Sequence, residues 1–256
     1  MATTTHFACT LCGKCCHDLK LPLSVDESLV WLERGGTVQV LTEAIPWPAE
    51  PAADNGPAWH KRRRSFAAKS GVQPIRVIVT LVAAFDGPCP HLGADMRCAA
   101  YERRPRVCRM YPAEVNPYVR LAPVNKACPP EAWALKHPVL EHAGRLLDAE
   151  TVELIRQSRD ADAQDQGIKE RLVASLGYST AALSNEGYVV YAPRPATALE
   201  ALRGAASDAS SSSPNRAPSD WTFISGQPGT IEALLSIEAK AIHRLHLEGS
   251  AFRYLG

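Results

Sequence analysis

Cysteine is the residue through which this chain could do chemistry. The eight Cys are Cys9, Cys12, Cys15, Cys16, Cys89, Cys98, Cys108 and Cys128, and none follows residue 128. The first four lie in Cys9-Thr-Leu-Cys12-Gly-Lys-Cys15-Cys16, a CxxCxxCC motif. A two-residue spacer lets two thiolates reach one ion about 2.3 Å away without straining the chain. It also lets backbone N–H groups point at the sulfurs, and Gly13 permits the tight turn. With 8 Cys in 256 residues, four specified positions coincide by chance about once in a million windows. Buried structural cysteines do not account for such a cluster, so it points to metal. The side chains of adjacent Cys15 and Cys16 diverge, which makes Cys9, Cys12 and Cys15 one group. Cys16 then supports a second centre, bridges two metals, or packs as a small apolar group.

Three thiols need at least one further ligand, and Cys89, Cys98, Cys108 and Cys128 can supply it once the intervening chain folds back. Eight thiols match two four-ligand sites or one cluster with spare thiols, and spacing does not choose between them. Four thiolates leave a net negative charge around zinc or an iron–sulfur cube. Arg97, Arg103, Arg104, Arg106 and Arg109 lie among the distal cysteines. Arg104 and Arg109, beside Pro105 and Cys108, are expected to offset that charge from just outside the metal. Arg103 and Arg106 suit a solvated helix face equally well. His17 and His91 either complete a mixed nitrogen–sulfur site with an open position or are ordinary loop histidines.

The zinc and iron readings differ physically. CxxCxxC with a remote fourth Cys is the spacing of ferredoxin-type cubes, although here Cys16 follows Cys15 directly instead of the usual spacer and Cys-Pro. Structural zinc sites use paired CxxC knuckles, and the widely spaced distal cysteines form no second knuckle. The expected cofactor is an iron–sulfur cluster of the 4Fe–4S type, with zinc or non-haem iron as alternatives.

The residues between the thiols form a longer pattern. CxxCxxCC is followed by Cys89-Pro90-His91-Leu92. Then comes Cys98-Ala-Ala-Tyr101-Glu-Arg-Arg104-Pro105-Arg-Val-Cys108-Arg109-Met-Tyr111-Pro112. Together with Phe7 and Gly13, this resembles the YkgJ-type cysteine-cluster proteins, which are described as zinc- or iron-chelating domains. The resemblance covers about residues 7–130. It implies metal binding, most of all iron–sulfur, with Tyr101, Arg104 and Arg109 beside the ligands and no firm activity. Flagellin lysine N-methylases are similar in cysteine layout at a greater distance, which implies methyl transfer as an alternative. No glycine-rich strand-to-helix turn suited to S-adenosylmethionine accompanies it.

Other candidates are weaker. His6 and His60 are weaker still, and His243 and His246 sit at i, i+3 on an expected helix without a third ligand. His60-Lys-Arg-Arg-Arg64 is a basic run between Trp59 and Phe66. It reads as a solvated loop or a partner contact, and less readily as a phosphate or RNA site. No GxSxG, Walker loop, HExxH or GxGxxG is present. Lys and Arg total 28 against 27 Asp and Glu, for a net charge of +1, so no bulk field selects nucleic acid or anionic lipid. The longest uncharged apolar run, Val77–Phe85, falls far short of the roughly 20 residues a membrane helix needs. The N-terminal sequence lacks the basic and apolar regions of a secretory signal. Clustered thiols then suit the reducing cytoplasm. The expected partners are metal ions and an unidentified small molecule or protein, with no membrane and no nucleic acid.

The elements that must position the thiols are read as follows. Ser24 and Glu27 form a capping box for a helix at about 24–34, ended by Gly35-Gly36. Thr37–Leu41 suits a strand, 42–74 a long irregular loop, and Pro74–Phe85 the best strand, running towards Cys89. A short helix is expected at Ala99–Arg103 and a strand at Tyr118–Val124. Helical spacing marks Val139–Leu147, Asp148–Gln157, Gly167–Leu176 and Pro195–Arg203. Gly187–Ala192 and Trp221–Ile224 read as strands, with a last helix from Thr230 to Leu247. The expected fold is α+β. A small irregular cysteine-rich metal-binding domain (1–130) precedes a mainly helical C-terminal half, made of a helical region (131–203), a Ser/Pro-rich linker (204–219) and a final strand and helix (220–256).

Overall fold

The computed structural model describes residues 3–208, 218–243, 246–247 and 250–254. The fold is α+β. In chain order it opens with β1 (Thr4–His6), β2 (Lys20–Leu23), α1 (Val25–Glu33) and β3 (Val38–Pro46). Next come α2 (Gly56–Arg63), β4 (Ser65–Ser70), β5 (Gln73–Ala84) and α3 (Arg106–Met110). β6 (Val139–His142), β7 (Arg145–Leu146), α4 (Ala149–Gln164) and α5 (Gln166–Ser175) follow. The chain continues with β8 (Thr180–Leu183), β9 (Gly187–Tyr191), α6 (Pro195–Ser207) and β10 (Thr222–Ser225). It closes with α7 (Pro228–Ser236), β11 (Ala241–His243), β12 (His246–Leu247) and β13 (Ser250–Tyr254). Two compact units result, one from Met1–Leu23 with Ala83–Ala161 and one from Ser24–Val82 with Asp162–Gly256.

The first unit contains all eight cysteines. Its sheet is antiparallel, in the order β1–β6–β7. The residues expected as a helix over 139–147 are the β6–β7 hairpin. Ala143 and Gly144, both at positive φ, form the two-residue turn that lets such a hairpin follow the natural strand twist. A small apolar cluster of Met110, Ala113, Leu154 and Ile155, with Val115 and Leu146 against it, supports α3 on α4. Between 86 and 130, α3 is joined only by short 3-10 turns at Tyr101–Arg103, Pro123–Asn125 and the start of Pro130–Trp133. The expected helix at 99–103 is thus a single tight turn. The expected strand at 118–124 does not form, because the Asn116 side chain accepts the Tyr118 N–H at 3.0 Å and closes a local turn.

In the second unit α1 forms where the capping box predicts it. Ser24 Oγ accepts the Glu27 N–H at 3.2 Å, and Glu27 Oε2 accepts the Ser24 N–H at 3.0 Å. The sheet runs β11–β10–β8–β3–β9–β13–β12. Pairs β3–β8, β8–β10 and β10–β11 are parallel, while β9 is antiparallel to β3 and β13. β5 pairs with both β3 and β4. Ala44, Val77, Leu81, Leu202, Trp221 and Phe223 are buried in its core.

Three expectations are corrected here. Residues 42–74 are not a loop, since β3 runs on to Pro46 and α2 and β4 follow. The basic run therefore lies on and just after a helix. The C-terminal half is a mixture of strands and helices rather than mainly helical. Its last helix stops at Ser236, and Glu238 at positive φ redirects the chain into β11, so His243 is on a strand. Leu245 lies outside the described residues. α6 continues through Ser207, into the range expected as a linker, and 209–217 lie outside the described residues. Among the described residues no helix is long and apolar enough to cross a membrane.

Candidate metal centre

Two backbone clamps bring the remote cysteine segments together. The Phe7 N–H donates to Pro138 O at 3.1 Å and the Ala8 N–H to Ala132 O at 3.0 Å. The Phe7 and Trp133 rings meet at 4.9 Å between centroids. The chain entering Cys9 is thereby fixed against the segment that follows Cys128. The second clamp acts on Cys16. The Cys89 N–H donates to Cys16 O and the Asp18 N–H to Gly87 O, each at 2.8 Å. Asp18 Oδ1 accepts the Gly87 N–H at 2.6 Å. An isolated bridge between Leu92 and Cys98 and the Ala99 N–H to His91 O bond at 2.7 Å fold the chain back so that Cys98 returns towards Cys89. Cys108 lies on α3, whose start is set by Pro105.

Gly13 has φ +66°, and a Cβ there would lie 2.6 Å from Met96 O and 3.0 Å from Leu92 Cδ1. The turn of CxxCxxCC therefore packs directly on the 92–96 loop, and only glycine permits both the conformation and the approach.

All eight cysteines are free; Cys9 is exposed and the others are partly buried. Their electrostatic neighbours form two groups that overlap at Cys16, which interacts with Cys15 and Cys9 as well as with Cys98. Burial raises the Cys15 thiol, a hydrogen bond with Cys16 pulls it back, and the thiolates of Cys128, Cys9 and Cys12 raise it again. Cys128 is raised by burial, eased by the Tyr111 hydroxyl and raised by Cys9 and Cys12. In the other set, burial and the thiolates of Cys89 and Cys16 push Cys108 up to about 12, with Arg104 acting in the opposite sense. Cys89 is raised by burial, eased by the His91 N–H, and raised by Cys16 and Cys98. Cys16 is pushed up to about 12 by burial and by its neighbour Cys15, then by Cys98 and Cys9. The neighbourhoods are thus Cys9, Cys12, Cys15, Cys128 and Cys16, Cys89, Cys98, Cys108, meeting at the Cys15–Cys16 peptide.

Cys12 behaves differently. Burial opposes its ionisation, but the Lys14 N–H, the Thr10 side chain, the Lys14 charge and its own N–H outweigh burial and lower the thiol below its ordinary value. This is the N–H-to-sulfur pattern that a CxxC turn provides.

The other predicted residues divide. Arg104 stacks on the Tyr101 ring, with Cζ 3.6 Å from the centroid, and donates from Nε to Tyr101 O at 2.8 Å; its charge favours the Cys108 thiolate. Arg109 instead pairs with Glu150 at 2.8 Å. His17 Nδ1 bonds to Gly13 O at 3.2 Å, which leaves Nε2 as its second ring nitrogen. His91 contributes its backbone N–H to Cys89. Two contributors were not singled out from sequence. The Tyr111 hydroxyl bonds to Cys128 and accepts the Ala127 N–H at 3.1 Å. Lys126 lies over the Tyr111 ring at 5.5 Å, paired with Glu114. Their place next to Cys108 and Cys128 in the sequence was the available signal.

The donor chemistry, all sulfur with cationic and N–H neighbours, suits zinc or iron and not a hard cation such as Ca²⁺ or Mg²⁺. Among the described residues no three His, Cys, Asp or Glu side chains are already arranged to hold a metal ion. The like charges of the thiolates oppose one another, and a bound cation removes that repulsion.

Free thiols gathered from four stretches of an irregular unit define a metal-binding cysteine-cluster domain. Residues 8–129, just under half of the chain, match the CxxCxxCC family model, described as "Putative zinc- or iron-chelating domain". No curated protein and no solved structure matches the chain.

Proposed function

We propose that the domain holds two iron–sulfur centres, one on Cys9, Cys12, Cys15 and Cys128 and one on Cys16, Cys89, Cys98 and Cys108, in a cytoplasmic redox or catalytic protein. The reading is supported by eight free thiols whose electrostatic neighbours group as Cys9, Cys12, Cys15, Cys128 and as Cys16, Cys89, Cys98, Cys108, with Cys16 touching both groups through Cys15 and Cys9. A bound iron–sulfur cluster supplies one-electron transfer. The chain's own part is to hold and tune it. The Lys14 and His91 N–H groups and the Tyr111 hydroxyl donate to sulfur. Arg104 and Lys126 place positive charge beside the thiolates, which favours the more negative, reduced state. Eight free thiols suit a reducing compartment.

Zinc is the second reading, favoured by the scarcity of regular structure between residues 86 and 130. There an ion would supply cross-links that the small apolar cluster does not. Purification without oxygen separates the two. Iron–sulfur centres give a brown protein containing iron and acid-labile sulfide that bleaches in air. A colourless protein carrying stoichiometric zinc would refute the redox reading and leave a stapled binding module.

A further inference from the structure

Tyr111 connects the two sets of thiols through one side chain. It stands at the C-terminal end of α3, three residues after Cys108, yet its hydroxyl meets Cys128, a member of the other set. The phenolic oxygen accepts the Ala127 N–H at 3.1 Å. That bond occupies an oxygen lone pair and leaves the phenolic proton for the Cys128 sulfur.

The surroundings hold this arrangement in place. Met110, the residue before Tyr111, is buried in the apolar cluster that α3 shares with α4. The Lys126 ammonium lies 5.5 Å from the centroid of the Tyr111 ring, and Glu114 pairs with that ammonium. Residues 110–114 and 126–128 are thus tied together around the phenol. The Lys14 and His91 groups that donate to Cys12 and Cys89 are backbone N–H groups, which a substitution does not remove. Tyr111 instead brings a side-chain donor to one set from the segment that carries a ligand of the other.

A hydrogen bond to a thiolate draws charge from sulfur and weakens it as an electron donor to a bound metal. We infer that Tyr111 is a positioning residue that acts on one set only, fixing Cys128 beside Cys9, Cys12 and Cys15 and lowering the donor strength of its sulfur, so that the two centres are unequal. The inference rests on the division of the thiols proposed above, and it holds whether the sets carry iron or zinc.

The test replaces the native metal with cobalt(II), because thiolate-to-cobalt absorption reads the donor strength of sulfur directly. Cys98→Ala removes a ligand from one set and Cys12→Ala from the other, so each full-length variant reports on the set left intact. Tyr111→Phe is added to both; it keeps the ring beside Lys126 and removes only the hydroxyl. The expected result is a shift of the absorption band to longer wavelength in the Cys98→Ala protein, with the band of the Cys12→Ala protein unmoved. Equal shifts in both, or no shift in the Cys98→Ala protein, overturn the inference. A Cys98→Ala protein that takes up no cobalt with Tyr111 intact refutes the division of the thiols, and the inference with it. Alkylation by iodoacetamide, located by peptide mass in the cobalt-loaded protein with all eight cysteines, gives a second measurement. Tyr111→Phe should speed reaction at Cys128 alone, and a rise spread evenly over the cysteines overturns the assignment.

Discussion

The backbone N–H of Cys89 donates to the carbonyl oxygen of Cys16 at 2.8 Å. This bond joins the end of the CxxCxxCC motif to the first distal cysteine. It brings Cys16 beside Cys89, while the Cys16 side chain stays hydrogen-bonded to Cys15, so the proposed sets meet at adjacent residues.

Asp18 supports that junction. It sits at φ +52°, and its Oδ1 accepts the Gly87 N–H at 2.6 Å. Asp18→Ala removes the acceptor and leaves a side chain in the left-handed region, so it is expected to cost about 1–3 kcal/mol. Chemical denaturation checks the stability. Metal analysis should show loss concentrated in the Cys16 set, and unchanged stability and metal content would refute the role.

Gly13→Ala places a methyl group 2.6 Å from Met96 O in a left-handed turn. The conformational strain alone is about 1–2 kcal/mol, and the backbone contact adds to it. A lowered thermal midpoint and weakened metal retention are expected, measured on protein purified in parallel with the parent. An unaltered midpoint would mean that the 92–96 loop yields freely and does not register the motif.

Acid sensitivity should trace to Asp162. Burial alone would raise its carboxyl, but Lys169 and then Arg64 outweigh burial and hold it below the usual carboxylate range. A folded-state value below the unfolded one, about 3.9, gives stability that is present above that value and lost as pH falls through the folded one. Asp165, raised by burial, has the opposite sign, its contribution being lost as pH rises through its folded value. Asp162→Asn should therefore flatten the loss of stability below about pH 4. At neutral pH it should cost about 3 kcal/mol, because Lys169, 2% exposed, loses its partner. Urea unfolding across pH compares the two proteins, and parallel pH profiles would contradict the assignment.

Where local chemistry and structure agree, the sequence was readable. The Ser24–Glu27 capping box, the β-branched run of β5 and the helical spacing of α4 and α5 each reflect a short-range rule. Residues 139–147 misled because strands this short carry too few alternations to outweigh Leu140, Leu146 and Leu147 at helix-like intervals; the Ala143-Gly144 turn was the better guide. The last helix was drawn too long because its break falls at Glu238, whose positive φ no residue type announces. The thiols were visible from the start, but the expected divergence of the Cys15 and Cys16 side chains is corrected by the hydrogen bond between them. Assigning Cys128 to the first group required the pairing of Phe7 and Ala8 with residues 132–138, a long-range contact with no local signature.

The most direct measurement counts iron, zinc and acid-labile sulfide per chain in the parent, Cys12→Ala and Cys98→Ala proteins, purified without oxygen and checked for retained fold by circular dichroism. Two centres require each substitution to remove about half of the metal, with the remainder still present in the other set. Full metal content in either variant, or complete loss from both with the fold retained, would contradict the division of the thiols into two sites.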